Sequence, residues 1–138
     1  MNKSAYAVIL AGGKGERFWP LSTPEYPKPF LKFFSVQSLL QQTFDRARRL
    51  VPDENIFLVV GEQHEQLSRE QLPALQENNL LLEPEGRDTS AAIGYASLHI
   101  PPDALMLILP ADHLIPDTDA FVNTMRVGVE FVLANNAV

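Results

Sequence analysis

The chain contains no cysteine. That absence removes disulfides, thiolate metal sites and a cysteine nucleophile together, and leaves the redox compartment unmarked. Positive charge is also scarce: 11 Lys and Arg stand against 17 Asp and Glu, a formal net charge of -6 over 138 residues. An acidic balance argues against nucleic acid or an anionic membrane as a partner, because both reward a basic face. No apolar run is long enough for a signal peptide's hydrophobic region or a membrane span, and the run after Met1-Asn2-Lys3-Ser4 soon gives way to glycines. A cytoplasmic enzyme is the default expectation. Repeats and low-complexity tracts are missing as well.

What is present, 46% hydrophobic residues in a chain of this length, fits one globular domain over residues 1–138 with a real core. Four short apolar runs without alternation, near residues 5–11, 55–60, 80–83 and 104–109, read as strands buried on both faces of a parallel sheet. Helical patterns separate them. Val36, Leu39, Leu40, Phe44, Ala47, Leu50 and Val51 recur at helical spacing, which predicts a helix over 35–51 with Ser35 as N-cap and Pro52 as stop. Arg46, Arg48 and Arg49 near its end complement a helix dipole better than they make a binding face. A polar helix is expected over 62–77, interrupted at Pro73, with His64 as a solvated residue on it. Further helices are expected over 90–99 and 121–133, with Asp117 and Asp119 at the start of the last and His99 in a structural role. The resulting architecture is α/β, Rossmann-like and mostly parallel.

The stretch most loaded with chemistry is Val8 to Phe30, VILAGGKGERFWPLSTPEYPKPF. Its apolar start stops at Gly12-Gly13-Lys14-Gly15-Glu16-Arg17, where glycines let backbone N–H groups approach a ligand with no Cβ in the way. Phosphate rewards that geometry most. Arg17 offers a planar fork of donors, and Lys28 a compact charge between Pro27 and Pro29. The Walker loop is excluded, since no Gly-Lys-Ser/Thr follows at the required spacing. A dinucleotide fingerprint is disfavoured by Phe18, which stands where the third glycine must allow close helix–strand packing. Further along, Asp112 directly follows a buried strand, which suits a carboxylate holding a divalent cation such as Mg²⁺.

The order L-A-G-G-K-G-E-R-F-W-P-L-S followed by P-K-P-F-L resembles the N-terminal nucleotide-binding motif of sugar-nucleotide pyrophosphorylases, and F-W-P-L-S is similar to the guanylyltransferases among them. The resemblance implies a three-layer α/β/α nucleotidyltransferase fold, incomplete here because members of the family are longer. It implies GTP and mannose 1-phosphate as substrates, GDP-mannose and pyrophosphate as products, and Mg²⁺ as cofactor. The implied nucleotide site takes in Leu10, Ala11, Gly12, Gly13, Lys14, Gly15, Glu16, Arg17 and Lys28, together with Glu83, Pro84, Arg87, Asp88 and Thr89 of the stretch E-P-E-G-R-D-T. Arg17, Lys28 and Asp112 would be catalytic, and Asp112, in L-P-A-D-H-L-I, the metal ligand. His113 is expected to be loop structure or to support its neighbour.

Glu83 or Asp88 is a plausible reader of guanine, whose Watson–Crick edge presents adjacent N–H donors that one carboxylate can accept. In the family pattern Asn is usual where Asp88 stands, Ala where Ser90 stands and Pro where Ala91 stands. Asp88 therefore adds negative charge near phosphates and loses amide donors. Asp88 and Thr89 also suit the cap of the following helix, a role compatible with base binding. Other readings stay open: a nucleotide-binding module without catalysis, or a pyrophosphorylase for another sugar or nucleotide. A homo-oligomer is open to it too.

Overall fold

A computed structural model describes residues 4–13 and 18–135. Four strands, β1 (Ala5–Leu10), β2 (Ile56–Gly61), β3 (Leu80–Glu83) and β4 (Leu105–Pro110), form one sheet in the order β3-β2-β1-β4, and every pairing is parallel. Each strand lies within a residue or so of its apolar run. The helices are α1 (Leu39–Arg48), α2 (Glu65–Gln71), α3 (Asp88–Ser97) and α4 (Thr118–Asn135).

Side-chain alternation sorts the core into two layers. Ala7, Ile9, Ile56, Leu58, Val60, Leu107 and Leu109 point to the face covered by α1, by Leu67 and Leu72 around α2, and by Phe121, Met125 and Val129 of α4. Val8, Phe57, Val59 and Leu81 point to the opposite face, covered by Ala92 and Ala96 of α3. A sheet buried on both sides explains why the strands read as continuous apolar runs. The three-layer α/β/α arrangement also creates a switch point: from β1 the chain winds outward to β2 and β3, then returns across the sheet to β4 on the other side of β1. Loops leaving the carboxyl ends of β1 and β4 therefore diverge, and the crevice between them is where open α/β sheets take ligands.

All four helices differ in their bounds from the sequence reading, the last running Thr118–Asn135 rather than 121–133. The first helix begins at Leu39, not after Ser35, because Ser38 makes a full capping box: its Oγ accepts from the Gln41 amide at 3.1 Å, and the Gln41 side chain accepts from the Ser38 amide at 2.9 Å. Ser35 instead closes a local turn with Gln37, and Val36 is exposed. The polar helix is shortened to Glu65–Gln71 after a 3₁₀ turn at Glu62–His64, and it stops two residues before Pro73. The third helix starts at Asp88 rather than Ser90. At the last helix, Asp117 Oδ1 accepts from the Ala120 amide at 2.9 Å and caps α4, the role expected of it.

Candidate functional site

A cavity of about 730 Å³ opens at the carboxyl ends of the strands. Among the residues predicted for the site, Leu10, Gly12, Gly13, Lys28, Glu83, Arg87, Asp88, Thr89 and Asp112 all line it. Ala11 is buried beneath the loop, its amide continuing the ladder to Val59 O at 3.0 Å. Pro84 is not part of the lining. Lys14, Gly15, Glu16 and Arg17 lie outside the described residues.

Lys28 is the first residue of a 3₁₀ turn, Lys28–Phe30, with Pro27 as its N-cap and Pro29 inside it. Both prolines fix φ, and the fully buried Phe30 ring pins the turn to the core. This aims the Lys28 side chain across the crevice. Its Nζ lies 3.6 Å from Asp112 Oδ2 and sits over the Phe18 ring, 4.5 Å from the centroid. The lysine is thus held between an aromatic face and a carboxylate, both of which favour a cation.

Asp112 follows β4 by two residues. The preceding Ala111 is buried and donates its amide to Leu10 O at 3.0 Å, which extends the β1–β4 pairing to the edge of the cavity. The Asp112 side chain is about half exposed, and its Oδ1 lies 3.6 Å from His113 Nε2. Arg46 reaches this loop from α1. Its Nη2 donates to Thr43 Oγ1 at 2.8 Å and, over a longer 3.4 Å, to His113 O, and its guanidinium stacks near Phe121 at 5.6 Å. Of the three arginines at the end of α1, Arg48 is paired with Asp53 at 2.9 Å and Arg49 with Asp119 at 2.7 Å, whereas Arg46 is buried without an acidic partner among the described residues. Burial pulls the Arg46 pKa below its ordinary value.

Glu83 ends β3 on the α3 side of the sheet. It is 8% exposed, and no hydrogen-bond or ion-pair partner for it occurs among the described residues. Burial pushes its carboxyl pKa up from the ordinary value. Asp88, at the start of α3, has φ 69°, in the left-handed region that Asn, Asp and Gly tolerate best. The N-cap of α3 is Arg87, with no side-chain capping bond, so the cap expected of Asp88 and Thr89 gives way to a carboxylate inside the first turn. Arg87 pairs with Glu85 at 2.7 Å on the rim.

His64 is the residue that the sequence reading misplaced. It is buried at 8% exposure rather than solvated, its ring packs 5.7 Å from that of Phe30, and its Nε2 lies 2.7 Å from Pro24 O. A carbonyl can only accept, so Nε2 carries the proton. His64 and its neighbour Gln63 also line the cavity. His99 stands T-shaped against Tyr95 at 5.3 Å, away from the site.

No group of three or more His, Cys, Asp and Glu side chains converges as a metal cage among the described residues. Asp112 alone fits Mg²⁺ only in the form that ion favours with nucleotides, one or two carboxylates completed by phosphate oxygens and water. The arrangement as a whole is a crevice of about 730 Å³ that brings together Gly12, Gly13, the Lys28 ammonium, the half-exposed Asp112 carboxylate and the buried Glu83 carboxyl. No helix among the described residues is long and apolar enough to cross a membrane.

The family profile of nucleotidyl transferases matches residues 6–130. The chain is 41% identical to a mannose-1-phosphate guanylyltransferase of Escherichia coli over its full length, which is 31% of that protein. It is 42% identical to a mannose-1-phosphate guanylyltransferase of Klebsiella pneumoniae over 90% of this chain and 27% of that one. Among solved structures, a Thermus thermophilus protein described as a mannose-1-phosphate geranyltransferase superposes with a TM-score of 0.82 at 38% identity, over 94% of this chain and 38% of that one. The chain thus spans about a third of the length of these relatives. A doubly wound parallel sheet with a glycine loop after β1, joined to a profile match over nearly all of the sequence, leads to one conclusion: the chain belongs to the nucleotidyl transferase family.

Proposed function

We propose that this chain is the nucleotide-binding part of a mannose-1-phosphate guanylyltransferase, which makes GDP-mannose and pyrophosphate from GTP and mannose 1-phosphate. The observation that carries the reading is the meeting of Lys28 and Asp112 at 3.6 Å across the crevice where β1 and β4 diverge. The names of the relatives at 41–42% identity support the choice of sugar and base.

In this reading a phosphate oxygen of mannose 1-phosphate attacks the α-phosphorus of GTP, and the bond from that phosphorus to the bridging oxygen breaks as pyrophosphate leaves. A sugar phosphate is already anionic at neutral pH, so no protein nucleophile or general base is required. The protein aligns the anions and neutralises them. Gly12 and Gly13 give the triphosphate room beside the main chain. Lys28 exchanges Asp112 for the α-phosphate, where charge builds as the bond changes hands. Asp112, released from the lysine, is the residue that would hold Mg²⁺; when bound, that ion supplies charge neutralisation of the phosphate oxygens. Arg17 is assigned the departing β- and γ-phosphates. Glu83, buried beside Gly12 and without a hydrogen-bond partner among the described residues, takes the N–H edge of guanine. The setting is the cytoplasm, where GTP is available.

Turnover assays with GTP, Mg²⁺ and mannose 1-phosphate test this, with ATP, UTP and dTTP as competitors for base choice. Lys28→Ala is expected to lower turnover by about two to three orders of magnitude, as loss of one preorganised charge partner does. Unchanged turnover would remove Lys28 from the reaction. A second reading, binding without catalysis, is favoured by the absence of a converging carboxylate group around Asp112 among the described residues. GTP binding in calorimetry without pyrophosphate release would select it.

A further inference from the structure

Lys28 reaches the cavity from a loop segment with little regular structure, yet the nucleotide reading needs its ammonium fixed. What fixes it lies behind the segment, on the side away from the cavity. Gln71, the last residue of α2, is 8% exposed and uses its whole side chain. Its Nε2 donates to Phe30 O at 3.0 Å and to Tyr26 Oη at 3.2 Å. Its Oε1 accepts from Ser38 Oγ at 2.6 Å, and its own carbonyl accepts from Gln41 Nε2 at 3.0 Å. Phe30 O can only accept, so the amide cannot be flipped.

We infer that Gln71 is a positioning residue for Lys28, a carboxamide clamp that holds the backbone carbonyl of Phe30 and the side-chain hydroxyl of Tyr26, two residues to either side of the lysine, and ties both to the cap of α1. The inference rests on the reading that Lys28 meets a nucleotide phosphate. The NH₂ group fixes the main chain at Phe30 directly and restrains Tyr26 through its phenol, so the direction of the Lys28 side chain is set by a residue outside the cavity lining. Ser38 completes the device: its hydroxyl accepts from the Gln41 amide and donates to Gln71, so the N-terminus of α1, the C-terminus of α2 and the lysine turn share one buried network. Buried networks of this kind hold one geometry because each alternative leaves a polar group unpaired.

A double-mutant cycle on the full chain tests the clamp, with GTP affinity in the presence of Mg²⁺ read by calorimetry. Gln71→Met keeps the length and apolar contacts of the side chain but removes both donors. Tyr26→Phe, at a partly exposed position, removes one contact and spares the fold. Each is expected to weaken GTP binding, Gln71→Met about tenfold and Tyr26→Phe about threefold, and each effect is expected to vanish in a Lys28→Ala background, since coupled residues fail to add. Full additivity with Lys28→Ala, or undiminished affinity in both variants, would overturn the clamp and leave the nucleotide reading standing. If Lys28→Ala itself binds GTP as tightly as the parent chain, or the parent does not bind GTP, the reading beneath the clamp falls, and the clamp with it.

Discussion

A methyl group placed on Gly12 would lie 3.2 Å from Oε2 of Glu83. The glycine loop after β1 and the last residue of β3 are thus in near contact, and the missing Cβ lets a buried carboxylate stand beside the main chain that is proposed to cradle phosphate. Gly12→Ala must push that carboxylate aside by a few tenths of an ångström. Glu83 has no hydrogen bond to lose among the described residues, so the fold tolerates the shift while the base contact does not. The expected result is a melting temperature close to the parent's and GTP affinity reduced about tenfold, the scale of one misaligned polar contact to a ligand.

Glu83 also sets a pH dependence. Its folded pKa is raised by burial above the ordinary 4.5, so the folded state binds more protons than the unfolded state between those two values. Stability is therefore fully present below the unfolded pKa and is lost as pH rises through the folded one. Glu83→Gln removes that loss. The variant is expected to melt higher than the parent at pH 7 and to converge on it toward pH 4, while its GTP binding weakens, because an amide cannot accept both guanine N–H groups. Parallel melting curves at every pH would dismiss Glu83 as the source.

Asp88 separates backbone from charge. With φ at 69°, alanine at this position is expected to cost about 1–2 kcal/mol of stability in urea unfolding, the penalty for a Cβ in left-handed backbone. Asp88→Asn keeps the tolerated backbone and removes a negative charge from the cavity wall. GTP affinity is expected to rise about fivefold, the equivalent of roughly 1 kcal/mol between charges near a surface.

Arg46→Met asks which of two opposing terms wins. The guanidinium is buried without an acidic partner among the described residues, which costs desolvation, and it gains two hydrogen bonds and an aromatic contact. Replacing a buried charge by an apolar side chain of similar length is often neutral, so stability is expected to stay within about 1 kcal/mol of the parent. The loop bearing Asp112 loses its tether, and the Mg²⁺ concentration needed for half-maximal GTP binding is expected to rise severalfold. A large fall in stability with unaltered Mg²⁺ dependence would make Arg46 a core residue only.

The strands and their parallel pairing were legible in the sequence because unbroken apolar runs mark them, and part of the cavity lining was legible from the glycine pair and from an acid just after a strand, the rest of the predicted lining coming from the resemblance of the motifs. The misses have other causes. His64, Ser68 and Gln71 recur at helical spacing and are all buried, but a polar stripe carries no hydrophobic periodicity, so α2 looked like a solvated helix. Arg46 was read by its place at a helix end, although tertiary packing against Phe121 and the loop after β4 decides its role. The helix expected from Ser35 starts at Leu39 because Ser38, not Ser35, is its N-cap. The signal that decides it, Ser38 followed three residues later by Gln41, is in the sequence.

A crystal structure of this chain with GTP and Mg²⁺ bears on the proposed site more closely than any other measurement. The α-phosphate is expected within hydrogen-bonding distance of Lys28 Nζ, the metal on Asp112, the triphosphate along Gly12 and Gly13, and guanine against Glu83. A triphosphate bound elsewhere, with the ion pair of Lys28 and Asp112 still closed, would contradict the proposal.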